Sequence, residues 1–119
     1  MAAILPILIA LTSFVLRIIN LGLPKGFVFD EVYYVDGARD FLKYGVEVEG
    51  ANPEFIVHPP VGKWLIASGI KLFGDNEIGW RFASAVFGTL LILLFARLVH
   101  VLFYSPLLTA LGAALIALD

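Results

Sequence analysis

The sequence predicts an all-α integral membrane protein, in which transmembrane helices are joined by a first loop that carries two amphipathic surface helices. Composition is the first reason: 61% of the 119 residues are hydrophobic and 15% are charged, whereas soluble domains have about 45–50% apolar and about 25% charged residues. The second reason is the distribution of charge, because most charged residues fall between positions 24 and 77. Long apolar segments lie on both sides of that region, as expected for helices that cross a bilayer.

The first transmembrane helix is predicted over residues 1–23. A helix of residues 2–23 is about 33 Å long at about 1.5 Å per residue, which is enough to span the hydrocarbon core. Arg17 lies within about two turns of its end, so its guanidinium can extend to the headgroups. Gly22 and Pro24 end the helix by turn chemistry. The alternative, a cleaved signal peptide, lacks a basic n-region and a small-residue cleavage site.

A loop over residues 24–77 follows, and it is predicted to hold two helices that lie along the membrane surface. It contains nine acidic and five basic residues, so it is net acidic. The first surface helix is predicted over residues 31–44, where Val32 and Val35 begin an apolar pattern at helical spacing opposite a polar face. Gly45 ends this helix.

The second surface helix is predicted over residues 60–73. Pro60 suits the first turn of a helix, where its missing N–H is not needed. Trp64 and Lys71 are residue types that anchor proteins at the membrane interface. The segment between the two helices, residues 45–57, has no periodicity and predicts an exposed turn region.

Two further membrane spans are predicted after the loop. The second transmembrane helix is expected over residues 78–103, and a tight turn over residues 104–106 separates it from the next span. The third transmembrane helix, residues 107–119, is rich in Ala and Gly, as helices packed among other helices often are. This helix ends early, so we expect the chain to be a fragment of a larger membrane protein.

Composition also restricts the partners. A net charge of −2 is too small to indicate a nucleic-acid partner. The absence of cysteine excludes disulfides and thiolate metal sites, and two histidines give no metal signature. A divalent cation held by oxygen ligands between the acidic residues is left open as a cofactor.

Two adjacent carboxylates, Asp30 and Glu31, come soon after the first apolar segment. Carboxylates at a membrane surface are costly unless they are solvated, paired or used. One interpretation is that Asp30 only caps the following helix, since acidic residues favour helix N-termini. The other is catalytic, with Asp30 as a general base beside a second carboxylate that is hydrogen-bonded or paired with a cation. The spacing alone leaves both interpretations open.

The candidate substrate-binding residues are His58, Pro59, Lys63 and Arg81. His58 precedes two prolines, an arrangement that by itself favours a structural turn, with a binding role as the alternative. Lys63 is either solvated or a ligand to substrate. Arg81 opens the second apolar run, where it either anchors the helix at the interface, binds an anionic lipid headgroup or holds a catalytic carboxylate.

These residues together resemble a family. The order of an apolar span, an Asp-Glu pair, a His-Pro-Pro stretch and an arginine that opens the next span is similar to the N-terminal part of bacterial protein O-mannosyltransferases, which use polyprenol-phosphate-mannose and have the type-C glycosyltransferase fold. The resemblance covers essentially the whole chain. Related lipid-linked pentose and hexose transferases share the Asp-Glu loop. The motifs that carry the resemblance are Phe29-Asp30-Glu31-Val32-Tyr33-Tyr34, His58-Pro59-Pro60-Val61-Gly62-Lys63-Trp64 and Gly79-Trp80-Arg81.

The resemblance implies a function. Mannose would move from a polyprenyl phosphate to a Ser or Thr hydroxyl of a secreted protein, with inversion at the anomeric carbon. Asp30 would be the general base, Glu31 would hold Asp30 or the acceptor, and Arg81 would bind or pair within the lipid-phosphate site. The protein would be a multi-pass protein of the cell membrane, in contact with the lipid bilayer and with its active-site loop extracytoplasmic.

Two other functions are weighed against this one. The first is a related lipid-phosphate-sugar transferase that acts on a lipid or glycan acceptor. The second is a non-enzymatic membrane transport module whose loop acids bind cations. Transporter sites lie near the bilayer midplane, whereas the charges here collect at the predicted surface, which argues against transport.

Overall fold

The computed structural model describes residues 4–49, 52–53 and 58–118. The parts of the sequence predictions that concern the other residues, including 54–57 of the predicted turn region, lie outside this description. The described residues form five helices and one pair of antiparallel strands. In chain order the elements are α1 (Ile4–Ile18), α2 (Glu31–Tyr44), β1 (Val48–Glu49), β2 (Asn52–Pro53), α3 (Pro60–Phe73), α4 (Glu77–Phe103) and α5 (Pro106–Leu118).

The first helix is shorter than the sequence predicts. α1 ends at Ile18, so the prediction of a helix that continues to residue 23 is wrong at its C-terminal end. Asn20 has a left-handed backbone with φ of 62°, and the Leu23 N–H donates to the Asn20 carbonyl at 2.8 Å to close a turn. The described helix is about 22 Å long at about 1.5 Å per residue, shorter than a hydrocarbon core of about 30 Å.

The next two helices have the ranges that the sequence predicts for them. α2 ends at Gly45, whose φ of 74° is left-handed and whose N–H donates to the Phe41 carbonyl at 3.1 Å. α3 begins with Pro60 at its first position and ends at Gly74, where φ is 92°. Glycine adopts positive φ without the steric penalty of a Cβ, which explains both ends.

The last two helices each begin one residue before the predicted position. The side chain of Asn76 accepts the N–H groups of Ile78 and Gly79 at 3.0 and 3.1 Å, so it caps the start of α4. Among the described helices, α4 alone is long and apolar enough to cross a membrane. The helical character of the predicted fold is confirmed by these elements.

The described residues divide into two compact units. One, the helical unit, comprises residues 4–19 and 84–118. Within it α1 packs against α5, and its buried core consists mainly of small and aliphatic residues. They are Ala10, Ile92, Ala96 and Ala113. Small side chains at helix contacts let the backbones approach closely, as in helices packed within membranes.

The other, the loop unit, lies within residues 20–83. In it α2 packs against α3. A Cβ at Gly69 of α3 would collide with the carbonyl oxygen of Gly79, so the two glycines let α3 approach the first turn of α4. The buried core of this unit consists of Val35, Ala38, Ala67, Ile70 and Trp80.

Candidate active site

A bidentate ion pair joins Glu31, the first residue of α2, to Arg81 near the beginning of α4. Nε of Arg81 donates to Oε1 of Glu31 at 2.7 Å, and Nη2 donates to Oε2 at 2.8 Å. The Arg81 side chain is 11% exposed and that of Glu31 is 25% exposed. This fork-to-fork geometry sets both distance and orientation, which a lysine in place of Arg81 would not do.

The remaining N–H groups of Arg81 donate to backbone carbonyls of residues 20–30, which connect α1 to α2. Nη1 donates to the carbonyls of Leu21 at 3.2 Å and Pro24 at 2.9 Å, and Nη2 donates to that of Gly26 at 2.9 Å. A guanidinium has five N–H donors, and all five of Arg81 are thus satisfied inside the loop unit. We call this arrangement of Arg81, Glu31 and the three carbonyls the arginine clamp.

Two glutamate side chains also accept backbone N–H groups of the segment that connects α1 to α2. Oε1 of Glu77 accepts the N–H of Gly26 at 3.0 Å, so Gly26 is held through both its N–H and its carbonyl. Oε2 of Glu31 also accepts the N–H of Val28 at 2.8 Å. The backbone on the N-terminal side of Asp30 is therefore anchored at two successive points.

Asp30 is left with a free carboxylate. It occupies the N-cap position of α2, but its side chain makes no capping hydrogen bond. It is exposed, and its carboxylate has no hydrogen-bond or ion-pair partner within residues 4–49, 52–53 and 58–118. Its backbone carbonyl accepts the N–H groups of Tyr33 and Tyr34 at 3.1 and 3.3 Å. The geometry thus does not support the interpretation that the Asp30 side chain only caps the helix.

The two neighbouring carboxylates have different electrostatic environments. The pKa of Glu31 is lowered below its ordinary value of 4.5, chiefly because Arg81 donates hydrogen bonds to it; burial opposes this shift, while the Val28 N–H and the Arg81 charge add to it. The Glu31 carboxylate is therefore ionised at neutral pH, and it is already bonded to Arg81. Of the pair, Asp30 is the carboxylate available to accept a proton from a substrate.

His58 lies beside the first turns of α2. Its ring centroid is 5.0 Å from that of Tyr34, with the rings tilted by 41°, and Tyr34 follows Asp30 by four residues. Pro59 has the extended backbone, φ −57° and ψ 141°, that precedes α3. The structure thus places His58 against the Tyr34 ring of α2, directly before the extended residue that leads into α3.

Lys63, by contrast, forms its ion pair with a carboxylate other than Asp30 or Glu31. It is buried and forms an ion pair with buried Glu47. A Cβ at Gly37 of α2 would lie only 2.8 Å from Cδ of Lys63, so the glycine makes room for the lysine. The structure thus brings Glu31 and Arg81 together and places His58 against Tyr34. It leaves the Asp30 carboxylate without a partner among the described residues, and it pairs Lys63 with a residue that the sequence analysis did not select.

A second arginine, Arg39, was not among the candidate site residues of the sequence analysis. Arg39 of α2 donates two hydrogen bonds to Asp75, at 2.8 and 2.9 Å, and one to Asp36 at 2.9 Å. Its guanidinium carbon is 5.5 Å from the ring centroid of Phe27 and 5.9 Å from that of Trp80. The Asp36 contact has a local signal in its i,i+3 spacing, but nothing in the sequence connects Arg39 with Asp75, 36 residues later.

Metal binding has no structural support among the described residues: no group of three His, Asp or Glu side chains there is placed to hold a metal ion. The divalent cation that the sequence analysis left open therefore remains an untested option.

Comparisons with known proteins identify relatives. The family model described as dolichyl-phosphate-mannose-protein mannosyltransferase matches residues 57–118, just over half of the chain. A polyprenol-phosphate-mannose–protein mannosyltransferase of Mycolicibacterium smegmatis is 42% identical over 125 residues, covering 100% of this chain and 23% of the relative. One of the same name from Mycobacterium tuberculosis is 41% identical over 118 residues, covering 94% of this chain and 22% of the relative.

More distant relatives carry another sugar in their names. An undecaprenyl phosphate-alpha-4-amino-4-deoxy-L-arabinose arabinosyl transferase of Pseudomonas savastanoi is 36% identical over 78 residues, covering 60% of this chain and 15% of the relative. The chain thus spans less than a quarter of the length of the curated relatives it matches. No solved structure matches it significantly.

Proposed function

This chain belongs to the dolichyl-phosphate-mannose-protein mannosyltransferase family, and we propose that the protein transfers mannose from a polyprenyl-phosphate donor to Ser or Thr hydroxyls of exported proteins. The family resemblance drawn from the sequence motifs is confirmed by the family model and by relatives above 40% identity. The donor and the protein acceptor are taken from the names of those relatives.

The observation that carries the proposal is the contrast between two adjacent carboxylates. Glu31 is ionised and held by Arg81, whereas the Asp30 side chain has no partner in the described part of the chain and is exposed. A general base must reach the proton that it removes, so a free carboxylate on an anchored backbone suits that role.

The proposed reaction is a single displacement. Asp30 takes the proton of the acceptor hydroxyl while the oxygen of that hydroxyl attacks the anomeric carbon of mannose. The bond from the anomeric carbon to the phosphate oxygen breaks, and its electron pair leaves with the polyprenyl phosphate. Attack from the face opposite the phosphate inverts the configuration at the anomeric carbon.

Other residues receive supporting roles. Arg81 holds Glu31 and the connecting backbone, and with five satisfied donors it braces the site rather than binding the donor phosphate. A phosphate leaving group needs dipolar or cationic stabilisation. His58 is the predicted ligand that we assign to this role, since its ring contacts Tyr34 in the first turn of α2 and Lys63 is paired with Glu47.

The proposal includes a membrane setting. α4 is long and apolar enough to cross a bilayer, and a polyprenyl donor is itself confined to the membrane with its phosphate at headgroup level. We place residues 24–77 outside the cytoplasm in a multi-pass protein. In this arrangement Asp30 and Arg81 lie at the depth where the donor phosphate is found.

Replacement of Asp30 tests the proposal. Asp30→Asn keeps the shape of the side chain and removes the base, so we expect turnover of the full-length protein to fall by about 10²-fold or more, as for loss of a general base. The measurement is transfer of mannose from polyprenyl-phosphate-mannose to a Ser/Thr-containing peptide.

The matched control is Asp36→Asn. Asp36 is an exposed carboxylate of the same helix, bonded only to Arg39 among the described residues, so this variant should keep turnover within about twofold of wild type because exposed pairs contribute little. Unchanged transfer by Asp30→Asn would reject the assignment of the base.

A second candidate function is transfer of a different lipid-linked sugar. The arabinosyl transferase relative, 36% identical over 78 residues, favours this alternative. Supplying the full-length protein with polyprenyl-phosphate-mannose and with an aminoarabinose-carrying donor separates the two. Transfer from the second donor to a lipid acceptor, with none from the first to peptide, would replace the proposed function.

A further inference from the structure

Phe29 combines two unfavourable features immediately before Asp30. Its φ is 50°, in the left-handed region that residues with a Cβ rarely adopt. The residue is 89% exposed, the largest exposed fraction among the described large hydrophobic residues. A backbone conformation of this kind costs conformational free energy and persists where surrounding contacts impose it, often at functional sites.

The surrounding contacts are those of the arginine clamp. The Glu31 N–H donates to the Val28 carbonyl at 3.0 Å, and the Val28 N–H donates to the Glu31 carboxylate at 2.8 Å. Phe29 and Asp30 are therefore the two central residues of a turn whose ends are tied twice. Asp30 has φ −75° and ψ −2°, and the positive φ of Phe29 before it is a backbone conformation that favours glycine.

The two central residues of this turn are both exposed. The Asp30 carboxylate has no partner among the described residues, and Phe29 directly precedes it in the chain. Tyr33, which is 65% exposed, follows Asp30 by three residues and so lies on the same face of α2. An exposed phenylalanine thus occupies a position that favours glycine, directly before the carboxylate of the Asp30–Glu31 pair that has no partner among the described residues.

We propose that Phe29 contacts the acceptor polypeptide, packing its ring against the segment that flanks the Ser or Thr whose hydroxyl Asp30 deprotonates. This inference rests on the proposed function. In an inverting displacement the base and the acceptor lie on one side of the anomeric carbon and the leaving phosphate lies on the other. A ring adjacent to the base therefore lies on the acceptor side, where it selects polypeptides with apolar groups beside the acceptor residue.

Kinetics of the full-length protein test the inference. Phe29→Ala should raise the KM for a Ser/Thr-containing peptide by about tenfold, since loss of a buried aromatic contact of about 1.4 kcal/mol is a factor of ten. The kcat at saturating peptide and the KM for polyprenyl-phosphate-mannose should stay within about twofold of wild type. Phe29→Tyr should retain the peptide KM because it keeps the ring.

A glycine variant separates contact from structure. Phe29→Gly should raise the peptide KM as much as Phe29→Ala does, yet it should raise the unfolding temperature above that of Phe29→Ala, because glycine accepts the positive φ. If Phe29 had only a structural role, its variants would lose activity only where they also lost stability. Leu72→Ala, which truncates another exposed apolar residue of the loop unit, should change neither KM.

Each contrary outcome has a distinct meaning. An unchanged peptide KM in Phe29→Ala, in a preparation whose wild type transfers mannose, would overturn this inference alone. If Phe29→Tyr raises the peptide KM as much as Phe29→Ala does, the aromatic ring is not what the acceptor contacts and the inference fails. A wild-type protein that transfers no mannose would overturn the proposed function, and the inference with it.

Discussion

Arg81 has five N–H groups, and each donates to an acceptor within the loop unit. This hydrogen bonding distinguishes between two roles that the sequence left open for Arg81: binding of an anionic lipid headgroup and holding of the Glu31 carboxylate. A phosphate bound by Arg81 would displace at least one of these acceptors, whereas bracing Glu31 needs no change. The structure therefore favours a positioning role, in which Arg81 acts on the reaction through Glu31 and the connecting backbone.

The bracing role predicts a specific kinetic result. Arg81→Lys should lower kcat by about 10- to 100-fold, because charge-assisted hydrogen bonds contribute about 1.5–3 kcal/mol and about 1.4 kcal/mol is a factor of ten. The KM for the polyprenyl-phosphate donor should stay near wild type. Glu31→Gln should have a similar effect, and the double variant should be far less than additive, because the two residues act as one unit.

A different pattern would support phosphate binding. A raised donor KM with unchanged kcat in Arg81→Lys, together with additive effects of Arg81→Lys and Glu31→Gln, would assign Arg81 to the donor phosphate. Full activity of Arg81→Ala with both substrates limiting would leave it as an interfacial anchor only.

The helices of the loop unit are connected by a second, buried ion pair. Lys63 of α3 pairs with Glu47, which lies between α2 and β1 and is 1% exposed. The other carboxylate oxygen of Glu47, Oε2, has no hydrogen-bond partner among the described residues. The segment after α2 is thus fastened to α3 by a charge pair whose desolvation is only partly offset by hydrogen bonds.

Removing one partner of this pair should destabilise the protein strongly. Lys63→Met keeps most of the side-chain volume and leaves Glu47 as a buried, unpaired charge, for which we expect a loss of about 3–5 kcal/mol in the free energy of unfolding. The double variant Lys63→Met with Glu47→Leu should recover most of that loss, since no buried charge remains. Thermal and denaturant unfolding of the purified protein measure both effects.

Lys71→Met is the matched control for Lys63→Met. Lys71 lies on the same helix but is exposed, so its replacement should change the free energy of unfolding by no more than about 0.5 kcal/mol. A double variant as unstable as Lys63→Met alone would show that packing, and not an uncompensated charge, explains the loss.

At the scale of the whole molecule, the proposed function requires a defined membrane topology. If α1, α4 and α5 each belong to a membrane-crossing segment, residues 24–77 lie on one side and the turn at residues 104–106 lies on the other. The family resemblance implies that the donor is used outside the cytoplasm, so we predict that the loop lies on that side.

Cysteine labelling measures this topology, because the chain contains no cysteine of its own. A cysteine at Asn52, in β2, should react with an impermeant thiol reagent in intact cells, whereas one at Ser105, between α4 and α5, should react only after the membrane is permeabilised. Labelling of position 105 but not of position 52 in intact cells would reverse the proposed orientation.

The sequence by itself determined most of the element boundaries and the family. Gly45, Pro60 and Gly74 act within one helical turn of their own positions, so their effects are readable without knowledge of contacts. The end of α1 was the exception: the apolar pattern continues past Ile18, but Asn20 adopts a left-handed backbone. Asparagine tolerates that conformation without requiring it, so the apolar pattern alone predicted too long a helix.

Only the tertiary structure decided which candidate residues act together. Glu31 and Arg81 are 50 positions apart and Lys63 and Glu47 are 16 apart, and no local pattern records such pairs. The sequence could identify Asp30, Glu31, Lys63 and Arg81 as charged candidates. It could not show which of them are neutralised by an ion pair. An ion pair depends on how α2, α3 and α4 pack. That packing pairs Arg81 with Glu31 and leaves the Asp30 carboxylate without a partner among the described residues.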